Sequence, residues 1–100
     1  MRFIEYQDEV IQYDADAVPA EATDRPLWQA AIGLGATTGD VLNEVLAADA
    51  RGGIDDVVGE DMVRSLGATL RQVSRIASIL GVSLDEVAAT DMTAMRDDVG

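Results

Sequence analysis

The sequence predicts an all-α protein, and three observations carry that prediction. Apolar residues recur at intervals of three and four over four separate stretches. No stretch shows the alternation of period two that a half-buried strand requires. Helix punctuation falls between the periodic stretches: Gly52-Gly53, Gly81, and the capping-box text Ser83-Leu84-Asp85-Glu86. Four helices in a chain of 100 residues bury little by themselves. The expected architecture is a four-helix bundle completed by a homo-oligomer, a dimer or tetramer.

The first helix is expected from about Arg2 to Tyr13, with Phe3, Tyr6, Val10 and Tyr13 at helical spacing. Residues 14–23 are Ala-rich and acidic and contain Pro19, so they read as a connector. Thr23 or Asp24 can cap a second helix that has Pro26 in its first turn. That helix carries Leu27, Ala30, Ala31, Leu34, Thr38, Val41, Leu42 and Val45, and ends near Ala50 before the Gly-Gly pair.

A third helix opens between Ile54 and Asp56. It steps through Val58, Met62, Leu66, Leu70, Val73, Ile76, Ala77 and Leu80 to Gly81. The short Gly-Gly loop makes the second and third helices antiparallel neighbours, with Gly39 and Gly67 available for a close crossing. Leu84 to about Arg96 forms the fourth helix, with Val87, Ala88, Met92 and Met95 inward, and residues 97–100 read as a frayed tail. One domain, residues 1–100, is expected from this length.

Composition excludes several kinds of chemistry. There is no Cys and no His, so disulfides, the usual zinc sites, Cys nucleophiles and His general bases are absent. A metal would have to be a hard ion on carboxylates. Nineteen acids stand against seven Arg and no Lys, for a net charge of -12. Such a surface repels phosphate backbones and argues against nucleic-acid binding. There is no membrane-length apolar run and no signal-peptide text, so the expected setting is cytoplasmic. The acidic, Lys-free composition fits either a high-salt cytosol or a GC-rich genome.

Ile32 to Leu46 holds the most informative text. Gly33, Gly35 and Gly39 interrupt a helical pattern, although each glycine in a helix interior costs about 0.8–1 kcal/mol relative to Ala. Thr37, Asp40 and Glu44 follow one another at intervals of three and four and share a face. Close approach of a backbone or a ligand would account for the glycines.

Three segments carry a specific resemblance: Leu34-Gly-Ala-Thr-Thr-Gly-Asp-Val41, Ser65-Leu-Gly-Ala68 and Ile79-Leu-Gly-Val-Ser-Leu-Asp-Glu-Val-Ala88. Together with Ile4-Glu-Tyr-Gln-Asp-Glu9, they resemble the MazG-type all-α nucleoside triphosphate pyrophosphohydrolases, in the same order and over nearly the whole chain. The resemblance implies a MazG-like helical bundle. It implies Mg²⁺ held by Glu-x-x-Glu on the second helix and Glu-x-x-Asp on the third, because residues i and i+3 point the same way. The cations of that family hold the triphosphate and activate a water that attacks phosphorus, yielding a nucleoside monophosphate and pyrophosphate.

Here those family ligand positions fall on Thr37, Asp40, Ser65 and Ala68. Three of the four are not carboxylates, so the expectation is an impaired site without Mg²⁺. The chain would then serve as an oligomeric nucleotide-binding or scaffold module. The alternative is an active enzyme with a displaced Mg²⁺ site on Asp40, Glu44 and Asp61, Glu44 lying one helical turn from Asp40 and Asp61 one turn from Ser65. A second alternative is a helical protein-interaction module. In the fourth helix the resemblance puts Asp91 where the family often has Asn, and Ala94 where it has a base, with Arg96 close by. Trp28 could stack a nucleobase or anchor a core or an interface. Arg64, Arg71 and Arg75 could meet phosphate or pair with acids, and Met62, Met92 and Met95 read as core filler.

Overall fold

The structure, a computed structural model, describes residues 1–16 and 25–99. Its four elements are α1 (Phe3–Asp16), α2 (Pro26–Ala50), α3 (Asp56–Leu80) and α4 (Leu84–Val99), and there is no strand among the described residues. None of these helices is long and apolar enough to cross a membrane. The expected first connector begins later than its composition suggests, because Asp14 to Asp16 continue α1. The remainder of that connector, with Pro19 and the candidate caps Thr23 and Asp24, lies outside the described residues. At the other end α4 runs through Asp97 and Asp98 to Val99, past the expected stop at Arg96.

Helix ends are set by local chemistry. Asp55 Oδ1 accepts from Val58 N–H at 2.8 Å, which satisfies one of the orphan donors of the first turn of α3. Both glycine stops adopt the left-handed conformation expected of them, with φ +86° at Gly52 and +75° at Gly81. After α2, Gly53 N–H donates to Ala48 C=O at 2.9 Å and Gly52 N–H to Asp49 C=O at 3.1 Å. Val82 and Gly81 repeat that pair of bonds on Ala77 and Ser78 after α3. This is the Schellman arrangement, which needs a residue tolerant of positive φ. Ser83 Oγ then accepts from Glu86 N–H at 3.1 Å and opens α4.

The chain divides into two compact units, Met1–Pro26 with Ser74–Gly100, and Leu27–Val73. The first unit buries Gln7, Val10, Ser74, Ala77 and Leu84. Gln7 is its pivot. Gln7 Nε2 donates to Ser78 Oγ and to Val82 C=O, both at 3.0 Å, and Gln7 Oε1 accepts from Leu84 N–H at 3.0 Å. One side chain on α1 thus ties the end of α3 to the start of α4. A second tie is ionic: Arg75 donates to both oxygens of Asp14, at 2.9 and 2.7 Å. The hydrogen bonds to Asp14 hold the guanidinium above its usual pKa, against the opposing effect of burial. The inner face of α1 therefore passes through Gln7, Val10 and Asp14, while Phe3 and Tyr13, expected inward, are exposed. On α4 the same correction applies to Val87, Met92 and Met95, since Leu84 is its buried residue.

In the second unit, α2 and α3 form an antiparallel hairpin. Gly33 lies against Gln72 and Glu44 against Ser65, so positions that rise along α2 fall along α3. Its buried residues, Ala30, Ala48 and Val58, are small. A Cβ on Gly33 would come within 2.7 Å of the Gln72 amide, so here the glycine permits the approach of a neighbouring side chain. The close crossing expected at Gly39 and Gly67 is not formed within the hairpin: a Cβ at either position meets nothing within 4 Å. Leu27, Leu42, Val45 and Leu66, assigned to the core by periodicity, are exposed. A stripe of three to four apolar residues per two turns is wider than one partner helix can cover, so periodicity overcounts the core of a two-helix layer.

Candidate functional site

The four positions that the resemblance marks lie on α2 and α3 of the hairpin. Thr37 and Ser65 are half-buried, Ala68 is half-buried, and Asp40 is exposed. The hydroxyls are already engaged. Thr37 Oγ1 donates to Leu34 C=O at 3.2 Å, within its own helix, and Thr38 does the same at 2.8 Å. Mid-helix Ser and Thr commonly satisfy themselves in this way. Ser65 Oγ reaches across the hairpin and donates to Glu44 Oε1 at 2.7 Å.

Glu44 is thus the carboxylate that the hairpin brings against Ser65, one of the four positions that the resemblance marks. Its second oxygen, Oε2, is buried and has no hydrogen-bond partner. Leaving a buried acceptor unpaired costs about 1–3 kcal/mol. Of the two acids considered beside it, Asp40 stays exposed. Asp61 faces Arg64 one turn on, with a 3.3 Å ion pair at the surface.

A hard divalent cation needs several oxygens converging on one point, commonly from two or more carboxylates. Among the described residues no group of three or more acidic side chains is placed to hold a metal ion. Glu44 offers one oxygen spent on Ser65 and one buried oxygen, Asp40 looks to solvent, and Ala68 has no ligand atom. This donor set does not fit the two-cation site that the resemblance implies.

The nucleotide-contact candidates distribute over both units. Trp28 is exposed near the start of α2. Asp91 and Arg96 lie exposed on α4, where Met92, Met95, Arg96 and Val99 line a shallow apolar hollow of about 510 Å³. Of the arginines considered for phosphate, Arg75 is committed to Asp14 and Arg64 to Asp61.

Gln7 is the buried side chain that periodicity misses, because a polar residue between Tyr6 and Asp8 reads as surface. Its signal was available: Phe3, Gln7, Val10 and Asp14 step by four, three and four, the spacing of one helical face. A polar residue on such a face is worth reading as a buried hydrogen-bonding group. The chain matches no family model, no curated protein and no solved structure.

Proposed function

We propose that this chain is a MazG-like helical module whose pyrophosphohydrolase metal site has been dismantled, and that it acts as an oligomeric nucleotide-binding or scaffold module. The observation that supports this reading is the hydrogen bond from Ser65 to Glu44. A position that would supply a metal-binding carboxylate instead supplies a donor, and that donor occupies the nearest remaining carboxylate. A hydroxyl donating to a carboxylate neutralises part of the attraction that a cation would exploit. With Ala68 one turn along α3 from Ser65, these positions lack the charge needed to position a triphosphate.

One observation favours an active enzyme instead. Glu44 Oε2 is buried without a hydrogen-bond partner, so one ligand atom is left, and the alternative requires Asp40 and Asp61 to turn toward it when Mg²⁺ binds.

Pyrophosphate release decides between them. Purified protein is incubated with a panel of nucleoside triphosphates and Mg²⁺ or Mn²⁺. The proposal expects no release above blank and no heat of metal binding by calorimetry. Release that disappears in Glu44→Gln and in Asp40→Ala would establish the displaced site and sink the proposal. Retention of nucleotide in equilibrium dialysis without turnover marks the binding module. Its absence leaves the scaffold role.

A further inference from the structure

The outer face of α2 carries a repeat that the hairpin does not use. Trp28, Ile32, Gly35, Gly39, Leu42 and Leu46 follow one another at intervals of four, three, four, three and four. That is an unbroken heptad seam on one helix face. It points away from α3. Trp28 is 63% exposed, Ile32 65%, and Leu42 and Leu46 58% each. Asp40 and Glu44, the only charges on the middle of α2, lie on the other side, with Glu44 turned to Ser65. One side of α2 is covered by α3, and the opposite side carries a continuous apolar stripe of the kind that another surface covers.

We infer that this seam is the surface on which a second copy of the chain docks, the two α2 helices crossing antiparallel at Gly35 and Gly39. The inference rests on the oligomeric part of the function proposed above and names the face responsible.

Four observations select this occupant. First, Gly35 and Gly39 have no reason inside their own chain, since a Cβ at either meets nothing within 4 Å, whereas Gly33 in the same helix faces Gln72. Two glycines one turn apart let a second helix approach to backbone distance, which offsets their poor helix propensity.

Second, the pattern of sizes suits a crossing. Helices that cross are closest at one point and diverge from it, so small residues belong in the middle and large ones at the ends. Here the glycines are central and Trp28, Ile32, Leu42 and Leu46 are terminal.

Third, the seam is a palindrome. Inverted about Thr37, Trp28 changes places with Leu46, Ile32 with Leu42 and Gly35 with Gly39. An antiparallel two-fold about Thr37 then sets Trp28 of one copy against Leu46 of the other, with glycine against glycine at the crossing.

Fourth, area and charge agree. With Leu27 and Val45 flanking it, the face exposes on the order of 650 Å² of apolar side chain per copy, close to the ~800 Å² per partner of a stable interface. Two chains of net charge -12 repel everywhere except across an uncharged surface of this kind.

Light scattering on the full chain, from micromolar to near-millimolar concentration, should give twice the 10.6 kDa chain mass. Gly35→Leu and Gly39→Leu should keep the helical far-ultraviolet signal, because their own chain leaves room for the side chain. Each should weaken association at least about a hundredfold, since overpacking acts twice across a two-fold. The chain has no cysteine, so orientation is read cleanly: a mixture of Trp28→Cys and Leu46→Cys chains should form the mixed disulfide in preference to either self-pair. A monomer at all concentrations overturns both this inference and the oligomeric reading. A dimer that survives Gly35→Leu and Gly39→Leu but falls apart in Met92→Asp with Met95→Asp overturns this inference alone and moves the contact to α4. A preferred Trp28→Cys self-pair overturns the antiparallel crossing.

Discussion

The corner built on Gln7 and the face built on Glu44 both place one polar side chain among buried neighbours, and they treat it in opposite ways. Gln7 makes three hydrogen bonds and has both ends of its amide engaged. Glu44 makes one bond, from Ser65, and leaves an oxygen buried and bare. Three satisfied bonds fix the path of the backbone from α3 into α4, because two of them go to main-chain atoms of that turn. A half-satisfied carboxylate stabilises little, so its place at this position is not explained by folding alone. Fully paired polar groups such as Gln7 hold the fold, whereas a buried oxygen left unpaired, as at Glu44 and Ser74, adds nothing to its stability.

This contrast can be broken in order of expected effect. Gln7→Ala strands Leu84 N–H and Val82 C=O and opens a hole beside Val10, so it should lower unfolding free energy by about 3–4 kcal/mol. Thermal denaturation followed by circular dichroism measures it, and a loss below about 1 kcal/mol would show that the corner does not depend on the amide. Leu84→Ala, at the same corner, should remove about 2–3 kcal/mol through its cavity alone.

The Glu44 face should behave in reverse. The double change Glu44→Met with Ser65→Ala removes both partners and the bare oxygen, and should be neutral or stabilising by up to about 1 kcal/mol. Ser65→Ala alone should destabilise by about 1 kcal/mol, since it strips the carboxylate of its only donor. If the double variant is instead clearly less stable than the wild type, Glu44 is structural and the contrast with Gln7 disappears. The smallest effect is expected at the ionic tie. A double-mutant cycle on Arg75→Gln and Asp14→Asn should give a coupling of about 0.5–1 kcal/mol, reduced by added salt, because both side chains retain access to water.

Much of the fold was legible along the chain because its determinants are local. Gly52, Gly81 and Ser83 act within five residues of themselves, so their turns and cap can be read from neighbours alone. The third helix is strongly amphipathic and was placed within two residues at each end. Less of the site could be read. The spacing of Thr37, Asp40 and Glu44 predicted a shared polar face, and α2 does turn Thr37 and Glu44 inward while Asp40 stays in solvent. Which acid would be used by which hydroxyl depended on the rotation of α2 against α3, and spacing within one helix carries no information about rotation against another.

Sequence by itself therefore determined the four helices, the glycine stops after α2 and α3, and the absence of a thiol or imidazole at any site. Tertiary structure decided the rest: that Gln7 is a buried clamp, that Ser65 takes up Glu44, and that Gly33 serves the hairpin while Gly35 and Gly39 do not. The physical reason is the range of the interactions. Capping and periodicity act within a turn or two of the chain, whereas the partners of Gln7 lie more than seventy residues away and those of Glu44 twenty-one, and only the packed helices bring them within 3 Å.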